Sequence, residues 1–130
     1  MFEEDTNIFL LKSIFKQVKE RFIYKKDIEV WDTIEHWESY KEIPDEGHIV
    51  GDCDCFALAC RKECRKLDIP SRLVFCKVNI NGLWLGHLVL ESCGFIFDCN
   101  KTSIVSKSQL SYKWVSISGY ASGDPWHSLL

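Results

Sequence analysis

The sequence lacks any apolar run long enough to cross a bilayer, and its start, Met1-Phe2-Glu3-Glu4-Asp5, lacks the basic residues and unbroken apolar core of a secretory signal. The expectation is a cytoplasmic protein with no membrane partner. A basic stripe is missing too. Sixteen Lys+Arg stand against nineteen Asp+Glu, a formal charge of −3, and the longest basic cluster, Lys25-Lys26, lies beside Asp27. Nucleic acid is therefore not the expected partner. There are no repeats, low-complexity stretches or Pro/Gly/Ser-rich linkers, so residues 1–130 read as one domain. An even cysteine count is also absent. Seven cysteines without a signal point to thiols in a reducing compartment rather than a disulfide framework.

What is present is enough apolar material for a core without staples: 46% hydrophobic and 13% aromatic residues. Ile8, Leu11, Phe15, Val18 and Phe22 recur at spacings of three and four, which predicts an amphipathic helix over about 6–22. A weaker helical stretch follows near 28–40 with Trp31, Ile34 and Trp37, and Lys41–Gly51 reads as loop. A second helix begins at Asp52, with Cys53, Phe56, Ala57, Cys60, Cys64 and Leu67 on one face. Asp68-Ile69-Pro70 stops it. Strands are expected at Arg72–Asn79, Leu83–Glu91, Phe95–Cys99 and Tyr112–Ser118, with turns at Asn81-Gly82 and Cys93-Gly94. Helices followed by an antiparallel meander of about four strands make an α+β domain.

Gly51-Asp52-Cys53 places a thiol where a glycine-containing loop enters a helix. The unpaired N–H groups and dipole of a helix start favour a thiolate, and the same N–H groups can hold a developing oxyanion. Gly51 is expected to let a substrate backbone approach closely. A nucleophilic thiol needs a base, and the base needs a third group to orient it. Of four histidines, His36, His48 and His127 lie in charged or terminal surroundings. His87 stands in the apolar run Gly86-His87-Leu88-Val89-Leu90, where an unpartnered imidazole is costly to bury. Asp98 ends another apolar run, Gly94-Phe95-Ile96-Phe97-Asp98. Side chains alternate along strands, so a two-residue turn at Cys93-Gly94 would set Asp98 opposite Val89, on the face of His87. A three-residue loop would separate them.

These segments resemble the bacterial transglutaminase-like cysteine proteinases, a papain-like family with a Cys-His-Asp triad. The nucleophile motif stands here as Gly51-Asp52-Cys53-Asp54-Cys55-Phe56-Ala57-Leu58-Ala59. The histidine motif is Gly86-His87-Leu88-Val89-Leu90, and the aspartate motif is Phe97-Asp98-Cys99-Asn100. Ile23-Tyr24 with Asp27 and Trp37 resemble the segment before the nucleophile, and Tyr112-Lys113-Trp114 resembles a Tyr-x-Trp near the end. The likeness runs in order over roughly 22–115. Cys55 replaces a second acidic residue, and Cys99 separates Asp98 from Asn100.

The resemblance implies a papain/transglutaminase-like fold and a cysteine peptidase or amide hydrolase acting on a peptide or protein. Cys53 would be nucleophile, His87 base and Asp98 orienter. Trp37 and Asn100 enter as oxyanion or supporting residues, with Trp37 read first as a core aromatic. No cofactor is required. Calcium is an optional ligand, because acidic residues flanking the nucleophile bind it in adhesin-cleaving relatives and correspond to Asp52 and Asp54. Structural zinc at Cys53, Cys55, Cys60 and Cys64 is disfavoured, since four cysteines on one helix build a tetrahedron poorly. Two other functions stay open: a catalytically silent peptide-binding domain, and a transglutaminase-type acyl transferase or cell-wall amidase. Compactness would suit a phage- or mobile-element-encoded member. Substrate and oligomeric state are not readable from the chain.

Overall fold

Leu11, Ile14, Phe15 and Val18 recur at helical spacing, and all four are buried on the inner face of α1 (Glu3–Arg21). This computed structural model describes residues 3–25 and 43–130. The helix expected over 28–40, including Trp37, lies outside the described residues.

Helix α1 stops one residue before Phe22, which opens β1 (Phe22–Tyr24) instead of ending the helix. Strand β1 pairs in parallel with β2 (Ile49–Gly51), Tyr24 opposite Gly51, so the end of the expected loop is a strand. Three-residue strands are too short to show alternation, which is why the sequence reads as helix tail and loop.

Strand β2 feeds directly into α2 (Cys53–Lys66), with Asp52 extended at its N-cap. The helix ends in a Schellman arrangement. Asp68, at φ 55°, donates its N–H to the Arg65 carbonyl at 3.1 Å, and Ile69 donates to Cys64 at 2.9 Å. Leu67, placed on the buried face by periodicity, is instead half exposed. It is the C-cap, already outside helical geometry.

After α2 the chain is sheet. Strand β3 (Arg72–Ile80) and β4 (Leu83–Ser92) form a hairpin, and β4 pairs next with β5 (Phe95–Phe97). Both connections are two-residue turns with positive φ throughout: Asn81 53° and Gly82 86°, then Cys93 53° and Gly94 85°. That geometry matches the twist of the flanking strands. Strand β6 (Val105–Ser106) pairs with β5, β7 (Lys113–Ile117) with β3, and β8 (His127–Ser128) with β7.

Among the described residues the main sheet thus has six strands in the order β6-β5-β4-β3-β7-β8, rather than about four. The two additions are two-residue edge strands, again below the length at which a period is legible. The β3–β7 register slips once, from Phe75↔Ser116 to Cys76↔Trp114, leaving Val115 as a bulge.

The sheet buries both faces. Leu73, Leu88, Leu90 and Phe97 pack with α1 and α2 around Phe15 and Phe56, whose rings meet edge to face at 5.3 Å. Val74, Cys76, Val89 and Ile96 form a second cluster with Tyr112, Trp114 and Ile117. Among the described residues no helix is long and apolar enough to cross a membrane.

Candidate active site

Cys53 is the first residue of α2 and is half-buried; Cys93 is exposed on its turn, and the other five cysteines are buried. None of the seven forms a disulfide. A residue in the first turn has a main-chain N–H with no partner inside its own helix, so Cys53 combines a thiol with an available donor.

Gly51 has a different reason from the one expected. A methyl group at Gly51 would lie 2.2 Å from Cys55 Sγ and 2.7 Å from Cys55 Cβ. The space kept open is filled by the protein's own side chain rather than reserved for a substrate. Gly51→Ala should cost about 1–3 kcal/mol from overpacking. Urea denaturation measures this, and Cys55→Ala in the same chain should recover only part, because the Cβ contact persists.

The β4–β5 register decides the relation of the two polar residues in apolar strands. Ser92 pairs with Phe95 and Leu90 with Phe97, so the next step brings Asp98 to the face of His87. His87 Nε2 lies 2.8 Å from Asp98 Oδ1, with 6% and 0% of the two side chains exposed. Asn100 donates its main-chain N–H to the same oxygen at 2.9 Å, and Tyr112 Oη donates to Oδ2. Asn100 therefore touches Asp98 through its main chain, a contact available to any residue there except proline.

Cys53 lies close enough to His87 for its sulfur to act on the imidazole. With Nε2 engaged by Asp98, Nδ1 is the nitrogen left for the thiol. Burial would push the imidazolium down, yet the hydrogen bonds and negative charge of Asp98 and Cys53 raise His87 to about 9. Burial likewise pushes Asp98 up, but its bonds to His87, Tyr112 and Asn100 hold it below the usual carboxylate range. The surrounding thiols go the other way. Burial raises Cys76 and Cys99 to about 12, and neighbouring negative charge adds to the effect.

The fold thus brings Cys53, His87 and Asp98 together, with Asn100 behind Asp98. His48 and His127 are exposed elsewhere; His36 and Trp37 lie outside the described residues. Tyr112 is the polar residue that reasoning on single segments missed. Its signal was the Tyr112-Lys113-Trp114 motif, noted as a likeness but given no task.

Among the described residues, two sets of three donors each lie within 4.8 Å of one another: Asp52, Asp54 and Cys55, and separately His87, Asp98 and Cys99. In the second, the imidazole and carboxylate are already bonded to each other. The first offers two carboxylates and a thiol, whereas calcium takes six to eight oxygens. Those two carboxylates could supply part of a calcium shell, with main-chain carbonyls and water needed for the rest.

The family model described as bacterial transglutaminase-like cysteine proteinase matches residues 2–130. No curated protein and no solved structure gives a match.

Proposed function

Given that the chain belongs to the bacterial transglutaminase-like cysteine proteinase family, we propose that it is a cysteine peptidase-like hydrolase using Cys53, His87 and Asp98 on a peptide or protein amide. The observation that carries this reading is a single buried imidazole bonded to a buried carboxylate and set beside a thiol at a helix start.

His87 takes the proton from Cys53 through Nδ1, and the thiolate attacks the amide carbonyl. The charge developing on oxygen is held by the Cys53 N–H at the start of α2. The imidazolium then gives its proton to the departing amine, leaving an acyl-enzyme on Cys53 Sγ. Water, deprotonated by His87, attacks the thioester, and the carboxylic acid leaves as the thiol is restored. Asp98 fixes Nε2–H and keeps the imidazole in one tautomer and orientation. No step calls for a metal or cofactor.

Differential alkylation tests the proposal without knowledge of the substrate. At pH 7, limiting iodoacetamide followed by peptide mapping should label Cys53 at least about tenfold faster than exposed Cys93, because His87 beside it can take the proton as the sulfur attacks. Equal rates at the two sites would sink the nucleophile assignment.

A further inference from the structure

We propose that Tyr112 is a positioning residue for this site, its hydroxyl anchoring the second oxygen of Asp98 and its ring covering the His87–Asp98 pair. The inference rests on the hydrolase reading above and adds a residue and a task to it.

Asp98 is fully buried, and its two oxygens are held differently. Oδ1 accepts from His87 Nε2 at 2.8 Å and from the Asn100 N–H at 2.9 Å; Oδ2 accepts from Tyr112 Oη. A carboxylate held through one oxygen can still swing its plane, and the imidazole it orients would swing with it. The tyrosine bond on the other oxygen stops that rotation. The Tyr112 ring also stands edge-on to His87, with centroids 5.9 Å apart and planes at 86°. Trp114 backs it at 5.7 Å, and Lys107 lies over Trp114 at 5.0 Å. This wall keeps water from competing for the imidazole–carboxylate bond, which is stronger in a dry setting.

The bulge in β7 is the device that delivers Tyr112. Counting back from Ile117↔Val74 and Ser116↔Phe75, an unbroken ladder would set Val115 opposite Cys76 and turn Trp114 and Tyr112 to the other face. With Val115 looped out, Trp114 takes the place opposite Cys76, and Cys76 is itself opposite His87. Tyr112, two residues earlier, shares that face. One extra residue in β7 thus places Tyr112 on the face of the buried carboxylate.

Tyr112→Phe keeps the ring and removes only the hydroxyl. The groups around Asp98 that also titrate are His87 from β4, Cys76 from β3 and the adjacent Cys99; all stay in place in the variant. With carboxyl-13C aspartate, the Asp98 titration should move up by about one to two pH units, the equivalent of a hydrogen bond to a charged group. An unmoved midpoint would overturn the proposal. So would a urea-stability difference between wild type and variant that stays constant from pH 7 to below the carboxylate range. Anchoring an ionised carboxylate requires that difference to shrink as pH falls, whereas ring packing alone would not change with pH. In turnover, kcat should fall about tenfold with KM unchanged; an unchanged kcat would overturn positioning as well. The carboxyl titration needs no substrate, so it can fail while the hydrolase reading stands, and the reverse.

Discussion

Cys53→Ala should abolish peptide hydrolysis, lowering kcat/KM by roughly 10⁴-fold or more, with the fold retained. The size follows from what the thiol does: without it there is no covalent intermediate, and the remaining histidine can only assist water. The fold should survive because position 53 is half-buried at a helix start, and alanine is the best of helix formers. Circular dichroism and urea denaturation check the second half of the prediction. Cys60 is the natural contrast. It is fully buried in the core, and burial pushes its thiol far above the ordinary range, so it stays protonated. Cys60→Ala should leave kcat near the wild-type value and cost roughly 1 kcal/mol of stability. The opposite pattern, activity kept in Cys53→Ala and lost in a folded Cys60→Ala, would move the nucleophile elsewhere.

Asp98→Asn should lower kcat on the order of 10³–10⁴-fold and reshape the pH profile, because the amide no longer fixes the imidazole in one tautomer. In the wild type, His87 is raised to about 9 against the pull of burial, chiefly by Asp98 and Cys53. An imidazolium that must protonate the leaving amine is lost as pH rises, so kcat/KM should fall through an alkaline limb near pH 9. Asp98→Asn removes the carboxylate's bond and charge, and the limb should move down. A limb that stays near 9 would mean that His87 does not set it. The same groups link stability to pH. Because the folded His87 value lies above 6.5, its contribution is complete below that pH and is lost as pH rises through about 9. Asp98 works oppositely: held below its ordinary value of 3.8, it contributes above that pH and loses the contribution as pH falls.

Much of the fold was legible because the signals were local. The two long elements around Phe15 and Phe56 follow a 3.6-residue period, and Asn81, Gly82 and Gly94 are residue types that tolerate positive φ in two-residue turns. The second turn, once its length is known, sets the parity that brings Asp98 to the face of His87. The short strands β1, β2, β6 and β8 were not legible, since a period needs several residues to appear, whereas the three-residue β5 was, as an apolar run directly after a turn glycine. Gly51 was legible as a special position but not for its reason, because the atom that fills its missing side chain belongs to Cys55, four residues along and the third residue of α2.

The sequence by itself determined the helix start that carries Cys53, the apolar runs that isolate His87 and Asp98, and the order in which they occur. Those are properties of neighbouring residues, governed by sterics and periodicity within a turn or a strand. Tertiary structure decided the rest: that β4 and β5 close through a two-residue turn, that Gly51 yields to Cys55, and that Tyr112 reaches Asp98. The last depends on one bulged residue in β7, whose pairing with β3 spans some forty residues of chain. No local preference encodes that slip. It is settled by which faces of two distant strands bury together, and this becomes visible only when they meet.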